Sequence, residues 1–114
     1  MRRGDIVRVA APGDYGKPRP AVVIQSDQLP PTDSVMVCLM TSDRQPVPFY
    51  RLAITPTSTN GLVSETYVMI DKIFTVPRHK VGGKVGALDD AEMLTLTRML
   101  AVVMGFADVP RINP

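Results

Sequence analysis

The hydrophobic pattern changes its period once along the chain, and this change constrains the fold more than any other feature of the sequence. As far as Ala87, apolar residues occur in short runs that are separated by segments rich in proline and glycine. Such runs predict β-strands. From Leu88 onward, apolar residues recur at spacings of three and four, which predicts one amphipathic helix. We therefore expect a mainly β domain, a compact barrel, with one C-terminal helix lying on it.

The predicted strands are short and end at recognisable turn signals. They cover Ile6–Val9, Ala21–Ile24, Val35–Met40, Phe49–Ile54, Thr66–Val76 and Lys84–Ala87. The turn signals include Pro12-Gly13, the loop 14–20 with its two prolines, and Arg78-His79-Lys80 followed by Gly82-Gly83.

The C-terminal helix has a recognisable start. Asp89 is placed to cap it, Glu92 three residues later can complete a capping box, and Leu88 can pack onto Met93. The apolar face contains Met93, Leu96, Leu100 and Val103, and is broadened by Met99, Val102 and Phe106. A helix lying on a barrel explains most of this face, and its breadth also suggests a second contact such as a subunit partner.

Length and composition limit the classes of protein. The 114 residues fit a single domain spanning 1–114, and a net charge of +2 neither requires nor opposes nucleic-acid binding. One cysteine, Cys38, cannot form an internal disulfide, and its apolar surroundings favour a core residue over a nucleophile. The N-terminus lacks the apolar segment of a signal peptide, and no apolar run is long enough to span a membrane. We expect a cytoplasmic protein.

Three segments, taken in order, resemble the MazF/PemK family of toxin endoribonucleases. The first combines Arg3-Gly4-Asp5-Ile6-Val7 with the segment 17–24, Lys-Pro-Arg-Pro-Ala-Val-Val-Ile. The second is 61–72, Gly-Leu-Val-Ser-Glu-Thr-Tyr-Val-Met-Ile-Asp-Lys, and the third is 86–89, Gly-Ala-Leu-Asp, before the helix. The resemblance implies an SH3-like or CcdB-like barrel, a homodimer, and a cognate antitoxin whose extended tail covers the active groove.

The resemblance also implies a reaction. Family members cleave single-stranded RNA without a metal or other cofactor, by attack of the ribose 2′-hydroxyl on its own phosphate. DNA lacks that hydroxyl and is not an expected substrate. The expected products carry a 2′,3′-cyclic phosphate and a 5′-hydroxyl.

Arg19 is the first candidate for the catalytic site, and its alternative is a solvated loop arginine. Its guanidinium can donate two parallel hydrogen bonds to a phosphate and stays charged at any working pH. Pro18 and Pro20 stiffen the backbone on both sides. Thr41, at the place where the family carries a catalytic threonine or serine, is the second candidate, and Ser42 could share its task. The alternative for Thr41 is a strand-end hydroxyl that caps the loop.

Asp71 is the third candidate. In one branch of the family, an aspartate at this position, two residues after an arginine, contributes to acid–base chemistry. Met69 stands in place of that arginine, and the first loop offers Asp14 and Tyr15 where the same branch has a histidine. These differences favour a simpler site of arginine and threonine. The alternative for Asp71 is a structural role at the end of a strand or at an interface.

A basic turn supplies the remaining candidates. His79 is the only histidine, and it lies between Arg78 and Lys80. We interpret this turn first as solvated and second as an RNA-binding rim together with Lys17. No cysteine–histidine cluster with zinc spacing occurs.

Two other functions fit the same fold. A gyrase-inhibiting toxin of the CcdB type relies on a tryptophan after the helix, and this chain contains no tryptophan. A catalytically silent barrel that only binds a partner peptide differs from the enzyme in activity alone.

Overall fold

The computed structural model describes residues 1–10, 17–44, 46 and 48–111. These residues form six strands, one 3₁₀ turn and one α-helix. In chain order they are β1 (Asp5–Val9), β2 (Arg19–Val23), β3 (Ser34–Thr41), β4 (Arg51–Ile54), β5 (Thr66–Pro77), the 3₁₀ turn (Arg78–Lys80), β6 (Val81–Ala87) and α1 (Asp90–Val103). The predicted turn at Pro12-Gly13 and the loop positions Asp14 and Tyr15 lie outside the described residues.

The strands form one antiparallel sheet in the order β4-β5-β3-β2-β1-β6. The predicted mainly β fold with a C-terminal helix is confirmed, but the sheet formed by the described residues is open and is not the closed barrel that we expected. Closure would require β4 to pair with β6. Instead, β4 pairs with the first part of β5, from Thr66 to Met69, and β6 pairs with β1, so that β4 and β6 are the two edge strands.

Both faces of the sheet are buried, which explains why its central strands have continuous apolar runs. Successive side chains of a strand point to opposite faces. One face packs against α1 and contains Ile6, Val22, Cys38, Met40, Val68 and Ile70. The other face contains Val7, Val9, Ala21, Val23, Val37 and Leu39. The strands are thereby held in register from both sides.

Two strands begin two or more residues earlier than the sequence predicted. β2 starts at Arg19 because Pro20 can pair with Arg8 of β1, while β3 pairs only with the three residues from Ala21 to Val23. The missing N–H of Pro20 therefore costs no hydrogen bond to β3. β6 starts at Val81 and includes Gly82-Gly83, which the sequence predicts in or beside a turn, because the 3₁₀ turn ends at Lys80 and Val81 already pairs with Val9 of β1.

Asp5, part of the first family-like segment, has a structural role. The residue is 7% exposed, and its carboxylate accepts a hydrogen bond from Arg2 N at 2.9 Å and lies 3.3 Å from Lys84 Nζ. Buried carboxylates need such partners. Asp5 thus ties the N-terminal turn to β6.

The helix begins with the predicted capping box. Asp89 Oδ1 accepts from Glu92 N at 2.7 Å, and Glu92 Oε1 accepts from Asp89 N at 2.9 Å. Leu96 and Leu100 are buried against the sheet. Of the residues that broaden the predicted apolar face, Val102 and Phe106 remain exposed, at 57% and 75%, whereas Met99 is half-buried against the core.

Cys38 is a core residue, as predicted. Its side chain is fully buried, and burial, reinforced by the negative charge of Asp71, raises the pKa of the thiol from 9.0 to about 12. A thiol that stays protonated at neutral pH is a poor nucleophile.

We expect Asp89→Ala to lower the free energy of unfolding by about 1 kcal/mol, because Glu92 N loses its acceptor and the capping box is broken. Asp90→Ala is the matched control, since it removes a charge from the same turn but leaves the cap intact. Urea denaturation of both variants measures the difference. Equal losses for the two would contradict a specific capping role.

We also expect Cys38 to resist a thiol reagent such as Ellman's reagent at pH 8 while the protein is folded, because the thiol is both buried and protonated. The same protein in strong denaturant should react fully. Rapid reaction of the folded protein would show that the thiol is accessible.

Candidate active site

A cleft of about 300 Å³ opens where β2 begins and β3 ends. Its described lining residues are Arg8, Arg19, Pro20, Met40, Thr41, Ser42, Gly61, Leu62, Val63, Ser64, Thr66 and Val85. The cleft therefore brings together three of the predicted site residues, Arg19, Thr41 and Ser42.

The register of β2 and β3 explains why Arg19 and Thr41 share the cleft. Ala21 pairs with Leu39, so the strand positions two residues further out are Arg19 and Thr41. Arg19 is the first residue of β2 and its side chain is exposed. The predicted guanidinium thus stands at the end of a strand, where the backbone is fixed by pairing with Val9 as well as by the two prolines.

Thr41 was predicted either to contact the phosphate in the site or to cap the loop after β3, and it makes the capping contact. Its side chain is half-buried, and Oγ1 accepts a hydrogen bond from Asp43 N at 3.1 Å, the strand-end cap. That bond uses an acceptor lone pair, so the hydroxyl proton can still be donated to an anion in the cleft. The cap fixes the position of Oγ1, and the two interpretations are compatible. Ser42, the next residue, is exposed at the same rim.

Part of the cleft wall comes from residues that the sequence did not single out as functional. Gly61, Leu62, Val63 and Ser64 belong to the connection between β4 and β5, and the buried Thr66 closes it with a hydrogen bond from Oγ1 to Ser64 O at 2.9 Å. These residues begin the family-like segment 61–72. The resemblance of that segment did not show that it lines a cleft together with the start of β2.

Arg8 is the second guanidinium of the cleft. It is exposed between the buried Val7 and Val9 of β1. A charged residue inside an apolar strand was the available signal, and only the pairing of Arg8 with Pro20 shows that it lies next to the start of β2.

The structure places Asp71 outside this cleft lining. Asp71 is exposed in the irregular part of β5, between the residues that pair with Met40 and Cys38. The negative charge of Asp71 acts on the buried Cys38 thiol, whose pKa it helps to raise.

The basic turn is also separate from the cleft lining. Arg78 is used structurally, because Nε donates to Thr32 O and N donates to Asp33 O, both at 2.7 Å. His79 lines a different hollow with Asp33 and Pro77. Lys80 is exposed at the end of the turn.

Lys17 is exposed two residues before β2, next to the cleft in sequence but outside its lining residues.

The geometry gives the cleft a definite chemical character. Two guanidinium groups and the hydroxyl groups of Thr41 and Ser42 can donate hydrogen bonds to an anion. Met40, Leu62, Val63 and Val85 add an apolar part. Such a cleft fits a phosphodiester joined to less polar groups.

Comparisons with known proteins agree with this description. Residues 2–104 match the model of the PemK-like, MazF-like toxins of type II toxin–antitoxin systems. A protein of Mycolicibacterium smegmatis named "Probable endoribonuclease MazF" is 44% identical over 108 residues, which cover 94% of this chain and 99% of that protein.

Solved structures show the same fold. An endoribonuclease in complex with its cognate antitoxin from a mycobacterial species superposes with a TM-score of 0.75 at 22% identity, covering 98% of this chain and 99% of that chain. The Mycobacterium tuberculosis toxin MazF-mt6 gives 0.71 at 18% identity, over 90% and 96% of the two chains. In the described part of the chain, no helix has both the length and the apolar character needed to cross a membrane. By the extent of the family match and the 44% identity, this chain belongs to the PemK-like, MazF-like family of toxins of type II toxin–antitoxin systems.

Proposed function

We propose that this chain is an endoribonuclease toxin that cleaves single-stranded RNA in the cleft between β2, β3 and the β4–β5 connection. The observation that carries the proposal is that Arg19 and Thr41 line the same cleft. Family membership and the name of the Mycolicibacterium relative support the activity.

In the proposed reaction, the ribose 2′ oxygen attacks its own phosphate. The bond from the 2′ oxygen to phosphorus forms, and the bond to the 5′ oxygen of the next nucleotide breaks. A proton leaves the 2′ oxygen and another reaches the 5′ oxygen, which leaves a 2′,3′-cyclic phosphate and a 5′-hydroxyl. The main task of the protein is to stabilise the additional negative charge on the phosphate oxygens in the transition state.

Arg19 suits this task, because a guanidinium can bind two phosphate oxygens and remains charged. A guanidinium is always protonated in proteins and is therefore unsuited to act as a general base. Thr41 donates its hydroxyl proton to a phosphate oxygen or orients the 2′-hydroxyl, and Ser42 assists at the rim. Arg8 adds positive charge to the same cleft.

The side chains outside the cleft have different proposed roles. Lys17, Arg78, His79 and Lys80 bind phosphates further along the RNA, which adds affinity without base selection. Asp71 can take part in proton transfer only where the bound RNA extends to β5.

The proposed partners follow from the family and from the exposed part of α1. The mycobacterial endoribonuclease was solved with its cognate antitoxin, and we infer that an antitoxin covers the cleft of this chain as well. Val102 and Phe106 leave apolar surface exposed at the end of α1, which supports a homodimer. The proposed place of action is the cytoplasm, where the RNA substrate is found. The CcdB-type function is not favoured by the family match.

We expect Arg19→Ala to lower RNA cleavage by about 10²- to 10³-fold while the protein still folds, because one preorganised donor to the transition state is lost. Initial rates on a mixed-sequence RNA oligonucleotide measure the effect. Arg2→Ala is the control, since Arg2 is an exposed arginine outside the cleft lining. Unchanged cleavage by Arg19→Ala would remove Arg19 from the mechanism.

We expect an oligonucleotide with 2′-deoxyribose at the cleavage site to stay intact, because the attacking oxygen is absent. We also expect EDTA to leave cleavage of the all-ribose substrate unchanged, since the proposed charge stabilisation comes from guanidinium groups. Cleavage at the deoxy position would exclude attack by the 2′ oxygen. Loss of cleavage in EDTA that magnesium restores would contradict the metal-independent scheme.

A further inference from the structure

One buried amide side chain holds the connection that forms part of the cleft wall. Asn60 is 1% exposed. Its Oδ1 accepts hydrogen bonds from Thr57 N and Leu62 N, both at 3.0 Å, and its Nδ2 donates to Thr55 O at 2.9 Å. Thr57 Oγ1 in turn accepts from Asn60 N at 3.1 Å. Asn60 therefore links the start of the β4–β5 connection to the residues that enter the cleft.

The neighbouring strand β6 fixes the same connection from the other side. A Cβ added at Gly86 would lie 2.3 Å from the carbonyl carbon and oxygen of Asn60. Gly61 has a φ of +68°, and a Cβ added there would lie 2.2 Å from Val85 O. Only glycine permits these two approaches. The connection is thus clamped between its own asparagine and β6.

The clamped residues continue directly into the cleft. Gly61 to Ser64 follow Asn60 in sequence and line the cleft, and Val63 at the tip is 98% exposed. A loop tip with so little burial has few contacts of its own to define its position. Its place relative to Arg19 therefore depends on the anchored residues before it, which are Asn60 with its hydrogen bonds and Leu62, which packs against the core.

We propose that Asn60 is a positioning residue for RNA binding, which fixes the wall formed by Gly61–Ser64 so that nucleotides next to the scissile phosphate fit between it and Arg19. This inference rests on the proposed endoribonuclease function. Loss of Asn60 weakens RNA binding more than it slows the chemical step, because Arg19 and Thr41 are held by β2 and β3 and not by the connection.

The test compares Asn60→Ala with Asp89→Ala, which breaks the capping box and lowers stability without altering a residue of the cleft or of the connection. Steady-state cleavage of one RNA oligonucleotide is measured well below the Tm of each variant. We expect KM to rise about tenfold in Asn60→Ala with kcat within about threefold of the parent, and both constants to stay within about twofold in Asp89→Ala. An unchanged KM in Asn60→Ala overturns the proposal. A lower kcat at unchanged KM also overturns it, since it reports only a smaller folded fraction.

A milder variant keeps the proposal testable if Asn60→Ala does not fold. Thr57→Ala removes only the hydroxyl that accepts from Asn60 N. We expect KM to rise about threefold in this variant. A KM equal to that of the parent would overturn the positioning role.

Binding of an oligonucleotide with 2′-deoxyribose at the cleavage site separates this inference from the proposed function. If the parent protein binds this probe but does not cleave the all-ribose oligonucleotide, the proposed endoribonuclease activity is contradicted. The positioning role of Asn60 is then tested by the Kd values alone. An approximately tenfold weaker Kd for Asn60→Ala supports the role. Equal Kd values, or no binding by the parent, overturn it.

Discussion

The register between β2 and β3 is the constraint on which the proposed site depends. Because Ala21 faces Leu39, Arg19 and Thr41 fall at the same edge of the sheet. A slip of one residue would exchange the two faces of a strand, and both faces here are buried. The core therefore specifies the register, and the register places Arg19 and Thr41 at the same cleft.

The remaining parts of the fold complete the cleft around that edge. α1 covers one face of the sheet through Leu96 and Leu100. β6 pairs with β1 and also supports the β4–β5 connection at Gly86. One wall of the cleft consequently belongs to the regular sheet, while another is a loop held by Asn60. In the proposed function, the sheet holds the groups that act on the phosphate, and the loop shapes the space for the nucleotides.

Much of the fold could be predicted because its signals are local. The capping box at Asp89 and the apolar strand Val35–Met40 are each contained in a few consecutive residues. The extra length of β2 and β6 could not be predicted, since Pro20 and Gly82 are tolerated only because of how the neighbouring strands pair. The open edges of the sheet could not be predicted either, since the strand order brings together residues that are distant in sequence.

The candidate site divides in the same way. Arg19 and Thr41 were chosen with the help of a family resemblance, and the register explains why they share a cleft. The place of Arg8 and of the Gly61–Ser64 wall depends on contacts distant in sequence, which periodicity does not report. The most direct test is a crystal structure of the protein with an RNA oligonucleotide whose cleavage-site ribose is 2′-deoxy. We expect the scissile phosphate within hydrogen-bond distance of both the Arg19 guanidinium and Thr41 Oγ1; a phosphate bound away from these two groups would contradict the proposed site.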